Sequence, residues 1–244
     1  MFDHRHLAAA LESVSSVPAE PIAAATDSDA LPRRGLGIDR STDPRRQILD
    51  ALIETVARRG YDRTTTEHVL SVARIPAPVF EEHFENKQEC FLEAIDELIG
   101  RLDQLLCERL DRPAPWPERV QLGLETLLAA LAEHPDGAHV AMVESHSAGE
   151  ESVARLHSAL ARFVPILEEG RAYAAGQGST DSEHLPPQTS AAVVGGIASI
   201  VHRRVLESHT AELGELLPEL LYFALMPYLG HDSAISAAGL DAHT

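Results

Sequence analysis

Two cysteines in 244 residues, Cys90 and Cys107, are too few for a disulfide framework, which fits a reducing compartment. Lysine is nearly missing: Lys87 is the sole one among 20 basic residues, a bias that reflects codon usage more than chemistry. No long apolar run is present either. The longest, residues 191–201, spans 11 residues, against roughly 20 for a membrane-crossing helix. The first twelve residues contain acids and only the short run Leu7–Leu11, so no secretory signal is expected. Secreted, disulfide-rich, collagenous and membrane classes are thereby excluded, and a cytoplasmic location without membrane attachment is expected. Hydrophobic residues at 44% and charged residues at 24% are ordinary for globular chains, and the length suits one large domain or two small ones.

Charge of positive sign is also scarce, with 38 acids against 20 bases and a net charge of −18. Spread evenly, that would argue against nucleic acid. The distribution is uneven. Residues 1–32 carry −4 and residues 91–244 carry −14, whereas residues 33–90 are neutral, with nine arginines and Lys87 against ten acids. Within that segment the bases cluster early, at Arg33, Arg34, Arg40, Arg45 and Arg46, then Arg58, Arg59 and Arg63. A basic amino-terminal arm touching phosphates is one reading; a solvated linker with ordinary helix-surface charges is the other.

Residues 1–41 lack sustained periodicity and hold Pro18, Pro21, Pro32, Gly35 and Gly37, so they are expected to be a flexible leader, with a frayed helix at most over 4–14. From Pro44 onward nearly every segment has helical spacing and no stretch shows convincing strand alternation. Asp43 caps a first helix with Pro44 in its first turn, and Ile48, Leu49, Leu52, Ile53 and Val56 form its apolar stripe up to a left-handed stop at Gly60. Thr64-x-x-Glu67 reads as a capping box opening a second helix, buried through Val69, Leu70, Val72 and Ala73. A short third helix over 77–84 faces Phe80 and Phe84 inward, and Asn86-x-x-Glu89 opens a long fourth helix through Phe91, Ile95, Leu98, Leu102 and Leu105. Later helices are expected at about 116–133, 137–147, 150–175, 187–208 and 210–229, with 231–244 as a tail. The small-residue run over 193–199 suits close helix packing within or between chains.

The second and third helices are spaced as a helix-turn-helix, and a longer acidic helical region follows them. The run from Arg46 through Thr66 resembles the opening of the tetracycline-repressor (TetR) family DNA-binding domain. Phe80-Glu-Glu-His-Phe-Glu-Asn-Lys-Gln-Glu-Cys-Phe-Leu resembles that domain's close. The stretch 216–230 is similar to an actinobacterial branch of the same family. The resemblance implies an all-α dimer: a helix-turn-helix domain over 42–102 (the motif itself at about 65–84) that reads double-stranded operator DNA, and a helical ligand-binding and dimerisation domain over 103–230. A small-molecule effector would release the DNA, and the two helices at 187–208 and 210–229 would form the homodimer.

By the same resemblance, Thr65 and Thr66 match threonines at a phosphate, Lys87 a lysine reaching a phosphate, Phe80 and Phe84 core aromatics, and His83 the histidine between those aromatics. Arg45 and Arg46 are expected to add backbone contacts. The recognition helix departs from the family. Arg74 stands where the turn commonly has Gly, and Pro76, Ala77, Pro78 and Val79 replace its usual Ser, Arg, Gly and Thr. Glu81 replaces a phosphate-contacting Tyr. Ala77, Pro78 and Val79 can touch thymine methyls but form no bidentate bond, and Glu81 can accept from cytosine only against phosphate repulsion. Two readings therefore stay open: a ligand-responsive repressor relying on backbone contacts, or a helical ligand-binding or interaction module whose operator reading has decayed.

No catalytic constellation, Walker loop or G-x-S-x-G is present, so no enzyme activity and no cofactor are expected. His134, His139 and His146 with Glu144 lack the spacing of a zinc site, and no metal is expected. Cys90, at a helix start where a thiol's pKa can fall, reads as a packing residue. A face count places the effector pocket among Leu127, Leu128, His139, Met142, His146, Arg155, Leu156 and Phe163, with Arg155 or His139 available to an anionic ligand.

Overall fold

The computed structural model describes residues 43–178 and 185–240. The expected leader, its frayed helix, Arg33, Arg34 and Arg40 lie outside the described residues. Every regular element among the described residues is a helix.

Helix α1 (Pro44–Arg59) begins as its sequence dictates: the Asp43 carboxylate accepts from the Arg45 N–H at 3.1 Å, and Pro44 occupies the first turn, where no N–H is needed. All five residues of its apolar stripe are buried. Gly60 ends it with φ 81° and ψ 155°, a positive φ that favours glycine but with an extended rather than left-handed helical ψ.

Helix α2 (Thr66–Ala73) corrects the expected cap by one residue. The capping residue is Thr65, whose hydroxyl accepts from the His68 N–H while His68 Nδ1 accepts from the Thr65 N–H. Thr64 is buried instead, donating its hydroxyl to the Gly60 carbonyl at 2.9 Å. Val69 is the one buried residue of α2, and Val72 is 40% exposed, because a two-turn helix on the surface can sink only one side chain fully. Arg74 closes α2 in the left-handed conformation, φ 58° and ψ 40°, a position that costs a non-glycine residue about 1 kcal/mol.

Helix α3 (Ala77–His83) buries Phe80, with Phe84 buried just beyond it. Helix α4 (Lys87–Leu110) is capped by Asn86, which accepts from the Glu89 N–H at 2.9 Å, while the Glu89 carboxylate reaches one residue further back, to the Glu85 N–H. Cys90 is fully buried at the start of α4, and burial pushes its thiol pKa up rather than down, so it is a packing residue.

The carboxy-terminal region comprises α5 (Trp116–Glu133), α6 (Pro135–Met142) with a 3₁₀ turn (Glu144–His146), α7 (Glu150–Ala161), α8 (Val164–Gly176), α9 (Thr189–Leu206), a 3₁₀ segment (Thr210–Leu216), α10 (Leu217–Leu229) and α11 (His231–Ala237). The single helix expected over 150–175 is two, because Pro165 cannot donate into the ladder of α7 and instead sits in the first turn of α8. Pro218 likewise restarts the chain as α10 after the 3₁₀ segment. Residues 231–237 form a helix rather than a tail, and Ala234 and Ala238 join the core.

Two apolar clusters result. One joins α1–α4 and also takes in Ala130, Val140 and Ala148 from α5, α6 and the loop before α7; the other fills the carboxy-terminal bundle around Trp116, Leu128 and Tyr228. Helix α6 is the shared plate, packing on α1 with one face and on the bundle with the other.

Candidate DNA-reading surface and apolar cavity

Phe80 and Phe84 anchor α3 inward, so the rotation of the recognition helix is fixed and Ala77, Pro78, Glu81, Glu82 and His83 are exposed, with Val79 half-buried. Glu81 and Glu82 have no hydrogen-bond or ion-pair partner among the described residues. Thr65 and Thr66 stand at the start of α2, where the Thr65 and His68 N–H groups are taken up by the reciprocal cap and the Glu67 carboxylate accepts from its own N–H and the Thr65 side chain.

Three expected phosphate contacts have other partners in this geometry. Arg45 pairs with Glu93, and Arg46 Nη1 lies 3.3 Å from Glu97 Oε1, so α4 carboxylates hold both guanidiniums. Lys87 donates to the carbonyls of Tyr61 at 2.8 Å and Thr64 at 2.9 Å, with its ammonium 3.8 Å from the Tyr61 ring centroid. Partial burial lowers its pKa. Lys87 is therefore first a brace for the α1–α2 loop. Lys87→Met is expected to destabilise the protein by about 2 kcal/mol, since it removes two charge-assisted bonds and a cation–π contact; chemical denaturation would show it, and an unchanged midpoint would refute the bracing role. Arg59, Arg63 and Arg74 are exposed and form no ion pair among the described residues.

The carboxy-terminal region holds a partly open cavity of about 140 Å³ lined by α4 to α7, the start of α8, α9 and α10. Of the residues expected there, Leu127, Met142, Leu156 and Phe163 lie on its wall. The other four do not. Leu128 points into the core at 1% exposure. His139 lies 3.4 Å from Glu144, and the exposed His146 packs edge-on against His202 at 5.7 Å. Arg155 is bound to Asp96 and, at 3.0 Å, to Glu151. No polar group of the kind expected for an anionic ligand projects from these positions, because each has an acidic or aromatic neighbour outside the cavity. Among the described residues the one charged wall residue is Arg119, whose Nη1 donates to Glu169 at 2.7 Å. Sequence reasoning missed the α9 contribution of Val194, Ile197, Ala198 and Val201, although their spacing marks one helical face.

Among the described residues no three His, Cys, Asp or Glu side chains converge as a metal set. His134 is partly buried, which lowers its pKa, and its Nε2 has no partner. No described helix is long and apolar enough to cross a membrane.

The profile for "Bacterial regulatory proteins, tetR family" matches residues 48–94, which run from within α1 into α4. A "Fatty acid metabolism regulator protein" of Bacillus subtilis is 22% identical over 122 residues, covering 50% of this chain and 63% of that protein, so the match spans less than two thirds of the relative's length. Three solved structures share the fold at 18% identity. The fatty acid degradation regulator FadR from Bacillus halodurans superposes with a TM-score of 0.66 over 77% of this chain and 97% of that one. FadR from Bacillus subtilis in complex with stearoyl-CoA gives 0.58 over 75% and 97%, and a tetR-family regulatory protein from Rhodococcus RHA1 gives 0.60 over 77% and 98%. The named relatives are regulators, in agreement with the expectation that this chain is not an enzyme. Residues 48–94 thus match the DNA-binding segment of the tetR family of bacterial regulatory proteins, and the described helices share the fold of these solved structures.

Proposed function

We propose that the protein is a dimeric, cytoplasmic one-component transcriptional regulator, a repressor that leaves operator DNA when a small molecule with a long apolar chain enters the carboxy-terminal cavity. The observation that carries this reading is the cavity itself: an almost entirely aliphatic chamber whose walls α4 and α6 also form part of the amino-terminal core. Such a wall gives no hydrogen-bond readout of what lies against it, so it selects hydrocarbon by size and shape. At about 140 Å³ the chamber is close to the ~150 Å³ engineered cavity that admits benzene. A longer chain that seats fully within it pushes its walls apart, and that displacement is the signal. Stearoyl-CoA in the Bacillus subtilis structure supports a long-chain acyl thioester as the ligand class.

Helices α9 and α10 are the proposed dimer surface. They approach closely within the chain, since a Cβ on Gly196 would stand 2.9 Å from Phe223 Cε1. Beside that contact Phe223 is 37% and Met226 38% exposed, an apolar face on α10, the most apolar of the described helices.

The proposed DNA contacts are Thr65, Thr66, Ala77, Pro78, Val79, Glu81 and His83, with Arg45, Arg46 and Lys87 reaching phosphate only by giving up present partners. Glu81 opposes binding through phosphate repulsion, so Glu81→Gln is expected to strengthen operator affinity about 5-fold at low salt, with the gain shrinking as salt rises. A salt-independent effect would mean that Glu81 reads a base.

The two unpaired acids on α3 favour one second reading, a paired helical receptor without DNA binding. Selection of fragments of the source organism's chromosome on the purified full chain decides between them. Retention at low salt, followed by elution with stearoyl-CoA but not with coenzyme A alone, supports the repressor. Failure to retain any fragment leaves the receptor.

A further inference from the structure

Tyr61, in the loop between α1 and α2, is gripped on both of its backbone polar atoms. Its N–H donates to Glu144 Oε2 at 2.7 Å, and its carbonyl accepts from Lys87 Nζ at 2.8 Å. The two grips come from different elements. Lys87 opens α4, which supplies Leu98, Ile99 and Leu102 to the cavity wall. Glu144 stands in the 3₁₀ turn two residues after Met142, the wall residue that ends α6. The Tyr61 ring is buried and packs edge-on against Phe91 of α4 at 4.8 Å, so the loop follows α4 unless Glu144 pulls it elsewhere. From Tyr61 the loop runs through Asp62 and Arg63 to Thr64, the second carbonyl that Lys87 holds, and Thr65 then caps α2.

We propose that Glu144 is a positioning residue that conveys occupancy of the cavity to the helix-turn-helix, by holding the Tyr61 N–H from the α6 side while Lys87 holds the carbonyl from the α4 side. A ligand that widens the gap between α4 and α6 shears this loop and tilts α2, against which α3 packs. The Glu144 carboxylate suits the task. It is largely buried, at 14% side-chain exposure, and its other oxygen lies 3.4 Å from His139 on α6, which ties it to the moving helix. Gly60 sets the backbone just before Tyr61 at φ 81°, which disfavours a side chain, while a Cβ there would meet Glu144 Oε2 only at an ordinary contact distance of 3.6 Å.

This inference rests on the ligand-responsive reading, and two readouts on the full chain separate their failures. The first is the ratio of DNA affinities without and with saturating stearoyl-CoA, measured on a selected chromosomal fragment. Glu144→Ala is expected to cut that ratio about tenfold while stearoyl-CoA affinity stays within about twofold. Glu144→Gln, which keeps an acceptor oxygen for the Tyr61 N–H, is expected to recover most of it. The second is amide hydrogen exchange over residues 60–65, which needs no DNA. Stearoyl-CoA is expected to speed exchange at Tyr61 in the native chain, and Glu144→Ala to speed it without ligand and remove any further response. A native ratio kept in full by Glu144→Ala, or Tyr61 exchange indifferent to ligand, overturns the role of Glu144. A native chain that binds no DNA, yet shows the Glu144-dependent exchange response, overturns only the operator function. If stearoyl-CoA does not bind at all, both fall.

Discussion

Gly123→Leu is expected to leave the protein folded and bound to DNA but deaf to ligand. Gly123 lies on α5 between Arg119 and Leu127, one turn from each, and all three line the cavity. Nothing stands within 4 Å of where its Cβ would be, so a side chain enters open space rather than packed neighbours. Leucine there places a branched aliphatic side chain in a chamber of about 140 Å³. An acyl chain entering afterwards meets an overfilled site, which costs about 3 kcal/mol and weakens binding roughly 100-fold. The substitution also replaces a helix-interior glycine by a strong helix former, a gain of about 1 kcal/mol. Thermal denaturation should therefore show equal or higher stability, and stearoyl-CoA titration a lost response. Normal release of DNA by stearoyl-CoA would place the ligand elsewhere in the molecule.

Gly170→Ala is expected to have the opposite character, a severe loss of stability from one methyl group. The added Cβ would stand 2.4 Å from Trp116 Cζ2, 2.6 Å from Cη2 and 2.9 Å from Tyr228 Cδ1. Neither ring can retreat freely. The Trp116 indole N–H donates to the Ile166 carbonyl at 2.7 Å, and the Tyr228 hydroxyl shares a 2.6 Å hydrogen bond with Ser190. Both rings are buried, and they pack edge-on at a centroid distance of 5.2 Å. Overpacking of this kind costs about 3 kcal/mol or more, less the ~1 kcal/mol that alanine gains in a helix. For a chain of this size the midpoint of thermal unfolding should fall by about 5–10 °C. An unchanged midpoint would mean that α8 is not seated against Trp116 as described.

Local signals in the chain specified most of the helices. Asp43-Pro44, Asn86 with Glu89, and the Phe80–Phe84 pair each act within one or two turns, and each took its expected place. The cap of α2 was ambiguous for a local reason. Thr64, Thr65 and Thr66 are consecutive, and the reciprocal partner is His68, a residue outside the usual Glu or Gln pattern. The candidate sites were less legible because they depend on distant pairings. Leu127 and Leu128 are neighbours, yet one turns to the cavity and the other to the core, a distinction set by how α5 is rotated. Polar residues near the chamber looked suited to a ligand until their partners were known. Arg155 meets Asp96 on α4 and His139 meets Glu144, leaving the chamber to hydrocarbon. The grip on Tyr61 joins residues 83 apart through Glu144 and 26 apart through Lys87, separations at which no local pattern operates.

An occupied cavity and a seated helix-turn-helix are expected to exclude one another, and linkage makes that exclusion measurable from the ligand side. If ligand weakens DNA binding, DNA must weaken ligand binding by the same factor. The decisive measurement is the affinity for stearoyl-CoA of the free protein and of the protein saturated with a selected chromosomal fragment. The expected result is an affinity at least about tenfold lower on the DNA-bound protein, matching the loss of DNA affinity that the ligand causes. Equal affinity in the two states would contradict that exclusion, since the cavity and the DNA-reading surface would then be independent.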